Sequence, residues 1–304
     1  HCVGKEQFIL EDYKYSGIQA NEEQEVTVDE GEKTIEMQAG EYSLAIDRTT
    51  GALVSYRSED DEYIKHPLEP YFWKVPNDNQ ERNNYEERLG AWKFAGKRRA
   101  VTDVRVDRSE DGLVRVSFAM ELSPWDAAYN LSYTFSANGR LKVEANYEPG
   151  EGDIPLIPKF GMRVAIPEQY SNIKWYGRGP HENYWDRKTS AFYGVYEQEL
   201  SEFITPYISP QDNANRCDVR WAKFTDDHGK GIKVKGLQPL SFRAWPYTEE
   251  DLEQAGHNYQ LPDKDLININ IDYKVHGVGG NNSWGKRTLP QYTIDGNKAY
   301  GYGF

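Results

Sequence analysis

The segment "LININIDY" at residues 266–273 alternates apolar and polar residues by twos. Such a period places Ile267, Ile269 and Ile271 on one face of a strand and Asn268, Asn270 and Asp272 on the other. The isoleucine face is predicted to be core. The amide face is either the solvated side of an antiparallel sheet or the floor of a polar groove. Asparagine both donates and accepts hydrogen bonds, which suits a hydroxyl-rich ligand. Short stretches fit for strands recur along the chain between turn signals: "DRTTG" at 47–51, "EDG" at 110–112, "ANGR" at 137–140, "DDHGKG" at 226–231 and "DGN" at 295–297. "LSYTFS" and "LKVEANY" flank Asn138-Gly139, a strong hairpin signal. "VRVSFAMEL" at 114–122 alternates less cleanly and reads as a strand buried on both faces. The clearest helix is "TEEDLEQAG" at 248–256, with Thr248 as N-cap and Gly256 as its stop, and "NNYEERLGAW" holds a further helical turn. Many closely spaced strands with few helices predict an all-β sandwich or barrel.

The first thirty residues read differently. "KEQFIL" at 5–10 is strand-like, and "QANEEQEVTVDEGE" after it is acidic and polar, so a linker is expected near residues 16–30. That division makes 1–30 the end of another domain plus a linker, and 31–304 the main domain. The chain begins at His1 and shows no signal-peptide pattern, which reads as an excised or processed piece.

Composition sharpens the fold class. The chain has 22 Tyr, 8 Trp and 11 Phe but only 3 Met, a bias that favours pleated surfaces. The formal net charge is −13, with no basic block, which argues against nucleic acid and anionic membrane surfaces. No apolar run reaches the roughly 18 residues of a membrane-spanning helix. Two distant cysteines, Cys2 and Cys217, make neither a disulfide framework nor a zinc motif, and they leave the redox compartment open.

One segment sets a lone tryptophan among small polar residues: "GVGGNNSWG" at 277–285. Glycine and asparagine allow a tight, closely approaching backbone. Trp284 is then either a ring folded back onto a core or a flat platform offered to a ligand. No GxSxG, HExxH, phosphate-binding glycine loop or dinucleotide fingerprint is present. "NDNQE" at 77–81 alternates oxygen-bearing side chains but lacks the glycine and distal glutamate of a calcium loop. Glu182 and Asp186, in "GPHENYWDR" beside His181 and Arg187, are the carboxylate pair most like a glycosidase's. A retaining pair needs a separation of about 5–5.5 Å. The competing reading joins Asp186 and Arg187 in a structural ion-pair network.

"WYGRGPHENYWDRKTSAFYGVYEQ" resembles the W-x-G-x-G-P-x-E-N-Y-x-D-R signature of the C-terminal domain of large multidomain β-galactosidases of glycoside hydrolase family two. Three further segments are similar in order: "YFWKVPNDNQ" (71–80), "ITPYISPQDNANRCDVRW" (204–221) and "IDYKVHGVGGNNSWG" (271–285). Departures are Asn281 for a more usual aspartate, His276 for methionine, and Asn213-Ala214 for a glutamate followed by Asn or Gly. The first two bear on substrate choice more than on fold.

The resemblance implies a β-supersandwich of the galactose-mutarotase type, with "KEQFIL" as the last strand of a preceding immunoglobulin-like domain. It implies that the catalytic glutamates lie in a TIM barrel elsewhere, so no catalytic residue is expected in this chain and the isolated chain is expected to be inactive. Trp284, with Gly279, Gly280, Asn281, Asn282 and Ser283, is the implied sugar contact at the active-site mouth. Arg178, His181, Glu182, Asn183, Asp186, Arg187 and Arg216 are the implied fold or groove-rim residues. The implied partners are a β-galactoside or oligosaccharide and the barrel, in a homo-oligomeric parent that is cytoplasmic or periplasmic in a bacterium. No metal or cofactor is expected in this chain; magnesium or sodium would fall to the absent domains. Two alternatives stand beside this reading: a free-standing sugar-binding or epimerase-like domain using His181 and Glu182, and a purely structural assembly module.

Overall fold

The computed structural model describes residues 4–18, 25–109, 112–282 and 284–304. Along the chain run β1 (Thr27–Glu30), β2 (Thr34–Ala39), β3 (Tyr42–Asp47), β4 (Leu53–Ser58), β5 (Asp61–Glu62) and β6 (His66–Tyr71). Three short helices follow: α1 (Asp78–Glu81), α2 (Tyr85–Leu89) and α3 (Ala91–Ala95). Then come β7 (Ala100–Arg108), β8 (Val114–Leu122), β9 (Ala127–Phe135), β10 (Leu141–Glu148), β11 (Lys159–Pro167), β12 (Asn172–Gly179) and β13 (Phe192–Glu199). The chain closes with α4 (Leu200–Phe203), β14 (Arg216–Thr225), β15 (Gly231–Trp245), α5 (Glu249–Gln254), β16 (Leu266–Val275) and β17 (Tyr300–Gly303).

Among the described residues these strands make two sheets. The larger has 12 strands in the order β1-β2-β3-β4-β6-β11-β16-β15-β14-β12-β13, with β5 on β4; the smaller has five, β17-β10-β9-β8-β7. The all-β sandwich is as expected. Its two layers meet through aromatic rings. Phe160 on β11 reaches Tyr129 at 6.3 Å and Tyr147 at 6.1 Å, both on the smaller sheet, in edge-on geometry. Such pairs each add about 0.5–1.5 kcal/mol beyond the area they bury. Tyr302 at the end of the chain donates to the Ile271 carbonyl at 3.1 Å and so ties β17 to β16.

Local expectations hold where the signal is chemical. Phe135 pairs with Leu141 around the Asn138-Gly139 turn, and Gly139 takes φ +74°. Thr248 caps α5 by accepting from the Asp251 amide, while Asp251 reaches back to the Thr248 amide. That helix ends at Gln254, with Ala255 as its C-cap and Gly256 directly after it. "NNYEERLGAW" contains α2 and the start of α3. Ile267, Ile269 and Ile271 are buried core, as their period predicts.

Two expectations fail. β8 is not buried on both faces: Val114, Val116, Phe118, Met120 and Leu122 are buried, while Arg115 and Glu121 are exposed. The alternation was masked by Ala119 and Ser117, small residues that sit half-exposed on the outer face. Residues 5–10 form no strand in this structure. Instead the Gln7 side chain bonds the amide of Tyr193 at 2.6 Å and its carbonyl at 2.7 Å, covering part of the free edge at β13. Residues 19–24 of the expected linker lie outside the described residues, and β1 already pairs with β2 before Gly31. Among the described residues no helix is long and apolar enough to cross a membrane.

Ile269 is fully buried between the layers on a central strand. Ile269→Ala is expected to cost about 2–5 kcal/mol in urea denaturation. Val195→Ala, at an exposed position on β13, should stay within about 0.5 kcal/mol of the parent.

Candidate functional site

The loop that follows β16 is anchored at several points rather than draped freely. Asn77 caps α1 by accepting from the Gln80 amide at 3.0 Å, and Gln80 returns the bond to the Asn77 amide at 3.2 Å. The same residues then hold the loop. Asn77 Nδ2 donates to the Val278 carbonyl at 2.9 Å, and Gln80 Nε2 to that of Gly277 at 3.2 Å. Asn79 donates to the Lys286 carbonyl at 3.0 Å and accepts from the Gly285 amide at 2.9 Å. "NDNQE" is therefore a capping box and a loop clamp, and among the described residues no metal-ligating cluster occurs.

This close approach explains the glycines. A Cβ at Gly280 would lie 2.3 Å from the Lys286 carbonyl oxygen. Gly285 takes φ +91°, with the Arg82 carbonyl where a side chain would go.

Trp284 stands at the tip, 80% exposed. Its amide bonds to Asn282 Oδ1 at 2.9 Å, and the Arg82 guanidinium lies 5.5 Å from the ring centre. The loop, α1 and Gln211 bound an open groove of about 750 Å³. Gly279, Gly280, Asn281 and Asn282 line it together with Asp78, Asn79, Arg82 and Gln211. Ser283 lies outside the described residues. Sequence reasoning missed the partners from α1 and Gln211. The signal that could have found them is the Asn77/Gln80 spacing, which marks a helix start. A polar groove with one exposed indole and several amides can stack on and hydrogen-bond a pyranose.

The residues of the 177–187 segment and Arg216 do other work. Glu182 is buried and accepts from three donors: Arg187, the Tyr207 hydroxyl at 2.7 Å and the Ala214 amide at 2.7 Å. A carboxylate so occupied ties its own segment to Tyr207 and to the Ala214 backbone. The ion pair joins Arg187 to Glu182 rather than to Asp186. Asp186 instead accepts from the Gly279 amide at 2.7 Å and so supports the groove loop from below. His181 is exposed, and its Nε2 lies 3.0 Å from Ser190 Oγ. Arg178 bonds Asp218 at 2.7 Å and the Ala191 carbonyl at 2.7 Å. Buried Asn183 accepts from the Cys217 amide at 2.9 Å and donates to the His181 carbonyl at 2.9 Å. Arg216 is buried over the Phe203 ring at 4.0 Å, and burial pulls its guanidinium down to about 10. Cys217 is buried and free, its thiol pushed up to about 12 by burial; Cys2 lies outside the described residues.

The polar face of β16 is neither solvated surface nor groove floor. Asn268, Asn270 and Asp272 are all buried beneath a charged cluster. Glu249, carried in by α5, accepts from Asn268 at 3.0 Å and Asn270 at 2.8 Å. Burial raises the Glu249 carboxyl, but Lys159, Arg163 and Arg243 outweigh it and hold the group at about 2. Asp272 has no such surplus: burial wins over Lys159 and Arg243 and lifts it to about 6. Lys159, 3.7 Å from Asp272 and 3.8 Å from Glu249, is lowered to about 7 by burial and by Arg243. Arg243 pairs with Asp212, whose other oxygen accepts from the Tyr184 hydroxyl at 2.6 Å. The next residue back, Gln211, bonds Asp78 at 3.1 Å. A buried charge network thus reaches the groove through two adjacent residues.

With this geometry in place, comparison with known proteins is direct. A family model described as beta galactosidase small chain matches residues 38–304. The beta-galactosidase of Priestia megaterium is 36% identical over 275 residues, covering 90% of this chain and 26% of that protein. That of Streptococcus thermophilus is 30% identical over 281 residues, covering 92% and 27%. The chain therefore spans about a quarter of the length of the curated relatives it matches. Among solved structures, the GalM/aldose epimerase homologue from C. elegans aligns with TM-score 0.48 and 9% identity, covering 91% of this chain and 97% of that one.

Two outcomes test this account. The Asp272 carboxyl is raised in the folded state, so the native chain holds a proton that the unfolded chain has released between about pH 4 and pH 6. Its contribution to stability falls as pH rises through that window. Asp272→Asn removes that dependence, so wild-type stability relative to the variant should decline from pH 4 to pH 6 in urea titrations; a flat difference refutes it. Asp186→Ala deletes the acceptor for the Gly279 amide. Hydrogen exchange of peptide 277–285 should accelerate by about tenfold or more, as expected for losing one charged hydrogen bond, while β16 is unchanged. Equal exchange in both proteins would show that Asp186 does not hold the loop.

Proposed function

The chain belongs to the β-galactosidase small-chain family, and on that premise we propose that it is the accessory domain that completes the sugar site of a β-galactosidase acting on terminal non-reducing β-D-galactosides. In this reading the bond-breaking carboxylates stand in a catalytic barrel elsewhere in the enzyme. This domain's groove meets the mouth of that barrel, and Trp284 stacks on the sugar next to the scissile bond. The observation that carries the reading is the exposed Trp284 ring on a loop clamped by Asn77, Asn79, Gln80 and Asp186. An indole left in water at the end of a well-held loop is a contact surface awaiting a partner. Asn281, Asn282 and Arg82 supply donors and acceptors beside it. The epimerase-like alternative needs His181 and Glu182 as a working pair, but the Glu182 oxygens are occupied by Arg187, Tyr207 and Ala214.

The test uses the complete enzyme that contains this chain. Trp284→Ala should raise KM for lactose by about fivefold to a hundredfold, the equivalent of about 1–3 kcal/mol for one aromatic contact. The melting temperature should not change, because the ring buries little within this domain. A lowered melting temperature with unaltered KM would support the structural-module alternative and sink the platform reading.

A further inference from the structure

A second cavity shares no lining residue with the Trp284 groove. It lies between the two sheets, holds about 450 Å³, and is bounded on its third side by residues 16–18. Leu53, Leu68, Val164 and Ile271 from the larger sheet and Val143 from the smaller make its apolar wall. A volume of this size is within the range of small-molecule sites, about 300–1,000 Å³.

Its mouth is basic. Arg140 and Lys142 follow the β9–β10 turn, and Lys233 and Lys235 come from β15. Lys142 lies 3.0 Å from Glu144. Among the described residues, Arg140, Lys233 and Lys235 have no carboxylate within 4.0 Å. Lys235 donates to the Ser16 hydroxyl at 2.5 Å instead. The Lys233 ammonium is held below its ordinary value, first by burial and then by Lys223, Lys235 and Arg140. Like charges at Arg140, Lys233 and Lys235 therefore converge here with no carboxylate partner among the described residues, in a chain whose net charge is −13. Cations gathered at the mouth of an apolar cavity select a ligand that has both an anionic head and an apolar body.

We propose that this inter-sheet cavity binds an amphipathic anion, an alkyl carboxylate whose chain lies along Leu53, Leu68, Val164 and Ile271 and whose head group meets Arg140, Lys233 and Lys235. On binding, a carboxylate oxygen takes the place of the Ser16 hydroxyl on Lys235. A charged acceptor makes the stronger bond to an ammonium.

Isothermal titration of the chain with decanoate tests this, with decanol and butyrate as partners lacking the charge or the chain. One decanoate should bind per chain with a Kd on the order of 10 μM, and decanol and butyrate should each bind about tenfold more weakly or worse. The triple variant Arg140→Gln/Lys233→Gln/Lys235→Gln should lose about tenfold or more in decanoate affinity with an unchanged melting temperature. Leu141→Trp, which projects an indole into the cavity from its rim, should abolish binding. Decanol binding as tightly as decanoate, or undiminished affinity in the triple variant, would overturn the proposal. So would decanoate binding only after Glu22, Glu23 and Glu25 are changed to Gln, which would assign the basic mouth to the chain's own acidic stretch.

Discussion

The fold turns on β16, a strand buried on both sides. Its isoleucines close the core between the sheets, and its Asn268, Asn270 and Asp272 face inward on the other side. A strand with three buried polar groups is tolerable only if charges and amides arrive to meet them. α5 delivers Glu249, β11 delivers Lys159 and Arg163, and β15 delivers Arg243. Gly161 lets Asp272 approach: a Cβ there would stand 1.9 Å from the carboxylate oxygen. Side chains from β11, β15 and α5 thus converge on one polar face.

From that centre, position is passed outward. Arg243 fixes Asp212, Asp212 receives the Tyr184 hydroxyl, and Gln211 joins the same loop to α1. Buried Lys74 works from the other side. It donates to Gln80 Oε1 at 2.6 Å, and Gln80 in turn holds the Gly277 carbonyl. Burial lowers the Lys74 ammonium to about 8, with Asp212 the largest opposing charge. The exposed ring of Trp284 thus rests on a rigid base, while the loop's own glycines only permit the close approach. A binding surface carried on a loop is most precise when side chains of regular elements hold its backbone.

Much of this was legible in the chain. The hairpin at Asn138-Gly139, the Thr248 cap and the isoleucine face of β16 all follow from local chemistry: a turn that wants φ > 0, an N-terminal acceptor and a period of two; the glycine loop alone left Trp284 open between core and platform. What was not legible required long-range partners. Glu182 reads equally well as an acid or as a loop anchor until Tyr207 and Ala214 are seen beside it. Asp186 and Arg187 are neighbours in sequence, yet one holds Gly279 and the other holds Glu182.

The alternation, caps and turns of this chain, on their own, determined that it is an all-β sandwich or barrel and where many of its strands lie, because those signals act over a few residues and need no partner. The ordered motifs also identified its family. Only the tertiary structure decided that the polar face of β16 is interior, since its burial depends on Glu249, Lys159 and Arg243 arriving from three other elements. It likewise decided that α1 builds the groove wall. Asn77 and Gln80 meet Gly277 and Val278 across about two hundred residues of chain, and no local pattern encodes a contact that exists only once β6 and β16 stand in one sheet.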